Sequence, residues 1–283
     1  MCSSHLSPFP FSSLKAHAST LHILALFLDT ITMNNPTVIE RFSEFYDNWI
    51  CKLQEILKQL LHVSNQHHLL AEHDLQSLVS KVTTHLKEYY TVKWSLARED
   101  IVIFFSPPWL TPLEKAYLWI TGWKPSTAFK VLESLKKSNL FEMTEEQERK
   151  IEGLRMRMRM EEEKVEREME RQQVAMADSK IVKLAKRSGR ATWKKNNNEE
   201  DYDELVQLAM KDVFGGLERI MKASDCARLK TLKGILDVLQ PMQCVHFLTA
   251  NITIQLRLKQ WGNNCQLIHD SHAGSMQESN HKI

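Results

Sequence analysis

The sequence is poor in the residues that break a chain into strands and turns: its 283 positions hold only 8 glycines and 8 prolines, against 12 methionines. Strand-rich folds need frequent turns, so this shortage predicts an all-α protein. Cysteine is also scarce. Cys2, Cys51, Cys226, Cys244 and Cys265 are odd in number, widely spaced and without a CxxC pair. That pattern fits neither a disulfide framework nor a zinc site and implies a reducing compartment. Net charge is nearly absent, at +2, so any nucleic-acid or anionic-membrane surface must be a local patch. No apolar run is long enough to span a bilayer; LHILALFL at 21–28 is too short. Only Lys15 precedes that run and no small-residue cleavage site follows it, so it is a poor signal peptide. Catalytic motifs are missing too: there is no glycine-rich phosphate loop, no HExxH and no GxSxG, and Gly215-Gly216 has no phosphate-binding frame around it.

What is present is a globular composition, 43% hydrophobic and 25% charged, in a chain long enough for one large domain or two small ones. Residues 1–37 are expected to be a disordered extension, 38–262 a multi-helix bundle-like domain with one long central helix, and 263–283 a disordered tail. From Thr37, apolar residues recur at three- and four-residue steps through Phe42, Tyr46, Trp49, Leu53, Ile56 and Leu60, the spacing of one helix face. A second helix begins near Asp74. REDIVIFF at 98–105 has the β-branched residues of a buried strand but no partner strand, so it is expected to be helical.

TPLE at 111–114 carries a capping box, Thr111 with Glu114, and a proline in the first helical position. The expected helix runs from Pro112 to Gly122 and is apolar nearly all round. A helix of that kind is usually buried. Trp109, Trp119 and Trp123 are therefore expected in the core, the other reading being a groove where an indole stays partly exposed. Residues 143–178 read as the longest helix, capped by Thr144 with Gln147 and striped by Ile151, Leu154, Met158, Val165, Met169 and Met176. A free coiled coil would need apolar seam residues where Glu161 and Glu168 stand, which favours packing within the chain. Met156, Met158 and Met160 are expected to fill gaps in the core or at the stripe edges.

Residues 180–195 hold seven Lys or Arg and no acid, and open a loop between two helical blocks, its basic part near 186–200. Lys183, Lys186, Arg187, Arg190, Lys194 and Lys195 form either a nuclear-import or phosphate-contacting patch, or a solvated helix end whose cations suit the dipole. The last block, from Tyr202 to Trp261, is expected in three amphipathic pieces, with fraying after Gly262. His62, His67, His68 and His73 do not converge on one helix face, which disfavours a metal site. Cys244 and His246, two apart, point in divergent directions on a helix and make no nucleophile and base pair.

Four phrases in order carry a family resemblance: RFSEFYDNWICKLQEIL, WLTPLEKAYLWITGWKPSTAF, EEKVEREMERQQVAMAD, and DCARLKTLKGILDVLQPMQCVHFL with a closing QWG. Together they resemble the plant delay-of-germination family, whose domain is similar to the C-terminal half of TGA-type bZIP transcription factors. The resemblance implies a non-enzymatic regulator of seed dormancy, seed maturation and abscisic-acid signalling, linked to transcription and resident in the nucleus, with the cytoplasm as a second compartment. It implies protein partners, either clade A type 2C protein phosphatases or transcription factors, with self-association as a further expectation. No membrane contact is implied. Sequence-specific DNA binding of the TGA type is the alternative, but residues 1–37 carry one Lys and no heptads, so the usual basic helix is missing there and DNA contact is expected to be weak or indirect.

FYDNW at 45–49 matches in position the segment that the family's founding member uses for its phosphatase. Tyr46, Asp47 and Trp49 are thus candidate partner contacts; Tyr46 and Trp49, three apart, share a helix face and could equally point into the core. The family's haem-linked histidines fall at Gln255 and Lys259. An amide and an ammonium are poor iron ligands, so no haem and no other cofactor is expected.

Overall fold

The computed structural model describes residues 36–65, 71–138, 140–176 and 200–279, with side chains over 211–265 of the last range. Among the described residues there are seven α-helices and no strand: α1 Pro36–Asn65, α2 Glu72–Leu96, α3 Pro112–Ala116, α4 Ser126–Lys137, α5 Glu145–Met176, α6 Glu200–Leu236 and α7 Pro241–Ser279. The protein is all-α.

Three antiparallel pairings organise it. On α1 the buried residues Val38, Phe42, Tyr46, Trp49, Leu53, Ile56 and Leu60 keep the three- and four-residue steps of one face. That face packs on α2 and α7. Phe42 meets Tyr89, and Trp49 meets His85. On the α7 side Tyr46 lies by Lys259 and Ser64 by His246. The third pairing joins α5 to α6, Leu154 lying against Gly234 and Gln172 against Gly216. The expected stripe of α5 is buried as read, so the helix packs within the chain. Glu162 joins the stripe: its carboxylate accepts the backbone N–H of Ser126 at 2.5 Å, where α4 begins. Burial raises its pKa, and the donors on Ser126 offset part of the rise. Of the three methionines, only Met158 is buried; Met156 and Met160 are exposed, so two of the three fill no gap.

Several elements differ from expectation. Residues 98–105 are turns around a short 3-10 helix, Val102–Phe104, whose apolar residues are buried without forming an α-helix. The helix that starts at Pro112 has its capping box, Thr111 with Glu114, but ends at Ala116. A tight turn replaces its second half: Trp119 N donates to Gly122 O at 2.7 Å and Gly122 N to Trp119 O at 3.2 Å. Ile120 sits in that turn at φ 58°, a left-handed conformation that is costly for a β-branched residue and needs support from its surroundings. The last block is two helices, not three. Both α6 and α7 are longer than α5, and the α7 backbone stays helical past Gly262 to Ser279.

Candidate functional site

The support for the strained turn comes from a buried ionic cluster. Lys93 on α2 and Asp225 and Arg228 on α6 are each almost completely buried. Lys93 Nζ donates to Thr121 O at 3.1 Å and Thr121 Oγ1 at 2.8 Å. Arg228 donates through Nη2 to Trp119 O and through Nε to Trp123 O, both at 2.7 Å. Two cations thus hold three carbonyls of the 119–123 segment. Asp225 balances them: Oδ1 accepts from Lys93 at 2.9 Å and from Arg228 at 2.5 Å, while Oδ2 accepts the indole N–H of Trp94 at 2.9 Å. Burial pushes the Lys93 ammonium down to about 8, and the Asp225 carboxylate holds it from falling further.

In front of this cluster lies a cavity of about 430 Å³ between α1, α2, α4, α6, α7 and the 107–123 segment. Its wall is aromatic, with Tyr46, Trp49, Tyr89, Tyr90, Trp109 and Trp123 among its residues. Trp49 is fixed by reciprocal hydrogen bonds, its indole N–H donating to His85 O at 3.0 Å and its own carbonyl 3.1 Å from His85 Nε2. Tyr46 donates to Glu114 Oε1 at 3.4 Å. Burial, then the Glu114 charge, hold the Tyr46 phenol well above its usual range, and burial does the same for Tyr89 and Tyr90. All three stay protonated donors at physiological pH.

The three tryptophans divide between the two readings of the sequence. Trp119 is core, its indole N–H donating to Glu166 at 2.8 Å. Trp109 and Trp123 are half-buried and line the cavity.

Among the candidate partner residues, Tyr46 and Trp49 turn inward and only Asp47 faces solvent. The aromatic pair therefore builds the cavity wall and does not form an outer docking face in this conformation. Gln255 is half-buried and lines the same cavity. Lys259 places its ammonium 4.6 Å from the Tyr46 ring centre, a cation-π contact. His246 is buried, with Nδ1 3.1 Å from Ser64 Oγ and its ring stacked on Phe141. Lys183, Lys186, Arg187, Arg190, Lys194 and Lys195 lie outside the described residues, as do His67 and His68. Among the described residues no group of three His, Cys, Asp or Glu could hold a metal ion, and no helix is long and apolar enough to cross a membrane. The described cysteines are unpaired, Cys51 and Cys265 exposed and Cys244 buried.

The cluster itself escaped the sequence reading. Asp225 and Arg228, three apart in DCAR, are a visible pair. Nothing local points to Lys93, more than a hundred residues away.

The geometry defines an all-helical domain with an aromatic cavity backed by a buried charge cluster and with no recognisable catalytic constellation among the described residues. Comparison with known proteins places it further. Residues 56–134 match the family model described as DOG1, seed dormancy control. Protein DOG1-like 4 of Arabidopsis thaliana is 46% identical over 80% of this chain and 94% of its own length. Protein RESPONSE TO ABA AND SALT 1 of the same plant is 28% identical over 80% of this chain and 97% of its own. Transcription factor TGA6 is 27% identical over 77% of this chain and 62% of its own. The chain belongs to the DOG1 seed dormancy family.

Proposed function

We propose that this protein is a non-enzymatic regulator of seed dormancy, seed maturation and abscisic-acid signalling that acts in the nucleus through protein partners. The observation that carries the reading is its similarity to DOG1-like 4 over nearly the whole of that relative. The similarity to RESPONSE TO ABA AND SALT 1 supports the hormone branch, and that to TGA6 supports a link to transcription. Clade A type 2C phosphatases are the proposed partners. Asp47, exposed between two buried aromatics on α1, is the proposed contact, with its solvent-facing neighbours Asn48, Cys51 and Lys52.

Direct, sequence-specific DNA binding is the second reading, favoured by the TGA6 similarity and by the basic 180–195 segment. A salt series separates the two. Binding of the purified full chain to random and seed-promoter duplexes is expected to be weak and equal for both, and to fall steeply with salt where the basic segment meets phosphate. Nanomolar binding that prefers the promoter duplex at about 150 mM salt would overturn the partner reading in favour of the second.

A further inference from the structure

Three large apolar side chains stand in solvent around the mouth of the aromatic cavity. Tyr117, at the end of α3, is 65% exposed, and Ile254 and Trp261 on α7 are 55% and 57% exposed. Ile254, Leu258 and Trp261 follow one another at helical steps and form one stripe on α7. Ile254 and Leu258 line the cavity, as do Tyr117 and, from α4, Lys130 and Val131. The mouth is thus a groove between α4 and α7 with an apolar α7 edge. Exposed apolar side chains grouped in this way, inside a polar rim, mark a contact surface.

Charge decides what the groove fits. Its buried acids are committed: Glu114 accepts the backbone N–H and the hydroxyl of Thr111, both at 2.8 Å, and Asp225 is balanced by Lys93 and Arg228. The exposed charges around it are cations. Lys115 on α3, Lys130 on α4 and Arg257 on α7 face solvent, and the Lys259 ammonium rests over the Tyr46 ring. Lys115, Arg257 and Lys259 make no ion pair among the described residues. No acid stands on α7 from Pro241 to Cys265, and the exposed acids of α1, Glu40, Glu44 and Asp47, do not line the groove. Glu133 on α4 is held by Arg155 of α5. An apolar groove edged with cations is complementary to an apolar ligand edged with acids. From Ile254 to Trp261 the stripe runs about 10 Å along the axis, the distance between the i and i+7 anchors of an amphipathic helix laid in a groove.

We propose that the groove between α4 and α7 binds an acidic amphipathic helix of a partner protein, its apolar side chains against Tyr117, Ile254 and Trp261 and its carboxylates on Lys130, Arg257 and Lys259. This surface is separate from the phosphatase contact proposed at Asp47 and does not rest on it.

The test titrates the full chain into a fluorescein-labelled model peptide of roughly sixteen residues, long enough to form a helix in water, with leucine at i, i+3, i+4 and i+7 spacing and glutamate and alanine elsewhere. The expected result is saturable binding of one peptide per chain at about 150 mM salt, at least tenfold tighter than for a scrambled peptide of the same composition or for the version with lysine in place of glutamate. Ile254→Glu, at an exposed position, should weaken binding tenfold or more at an unchanged melting temperature. Arg257→Glu should weaken the glutamate peptide and strengthen the lysine peptide. These two variants separate the groove from the basic 180–195 segment, which would hold an acidic peptide whether or not α7 is changed. No saturable binding, equal binding of the scrambled peptide, binding indifferent to both variants, or displacement of the peptide by an equal concentration of a single-stranded oligonucleotide would each overturn the proposal.

Discussion

Asp225 is the anion at the centre of the buried ionic cluster. Its carboxylate is the only anion in contact with two buried cations among the described residues, and those cations fix the carbonyls around Ile120. Removing one member of a buried ionic group leaves the others charged and unpaired, which costs about 3–5 kcal/mol. Asp225→Ala should therefore lower the stability measured by urea unfolding by about that amount. Adding Lys93→Met should restore part of the loss, because one of the stranded charges is then gone. A loss below about 1 kcal/mol, the ordinary worth of a surface ion pair, would show that the cluster does not hold the turn. The part of Lys93 in the cluster was invisible in the sequence for a physical reason. Lys93 lies on a helix whose exposed positions are also charged, and only the tertiary pairing of α2 with α6 shows that its ammonium is buried.

Among the elements, those whose signals are local were read correctly. The α1 stripe, the Thr144–Gln147 capping box and the α5 stripe are short-range patterns, and each appears as expected. The capping box at Thr111 also forms, yet the helix it starts stops after five residues, because Lys93 and Arg228 draw the carbonyls of 119–123 away from helical bonding. No propensity of Leu118, Trp119 or Ile120 signals that. The same capping threonine fixes the place of α7. A Cβ on Gly262 would lie 2.1 Å from Thr111 Oγ1 and 2.7 Å from its Cβ. Thr111 is buried and its hydroxyl is engaged with Glu114, so it cannot move aside cheaply. Gly262→Ala should cost about 1–3 kcal/mol through overpacking. Gly153→Ala on α5, where the nearest atom is the mobile end of Arg157 at 3.6 Å, should instead stabilise by about 0.5–1 kcal/mol through helix propensity. Thermal midpoints of the two variants check the pair, and equal shifts would contradict the docking of α7 on α3.

For the whole molecule, the family and the all-α class were legible in composition and in ordered phrases, whereas the candidate site was half legible. The sequence brought out Tyr46, Trp49 and Gln255 as points of interest; the structure gathers all three around one cavity and leaves Asp47 and Asn48 of the FYDNW segment facing solvent. Substituting the aromatics would thus damage the core as well as any interface, and a surface change at Asp47 is the cleaner probe. The action proposed for the protein is the binding of protein partners. Titration of the immobilised full chain with purified clade A type 2C phosphatases tests it most directly. The expected result is saturable binding to at least one member, weakened tenfold or more by Asp47→Arg at an unchanged melting temperature. No saturable binding to any member of the clade would contradict the claim, and binding indifferent to Asp47→Arg would contradict the site assigned to it.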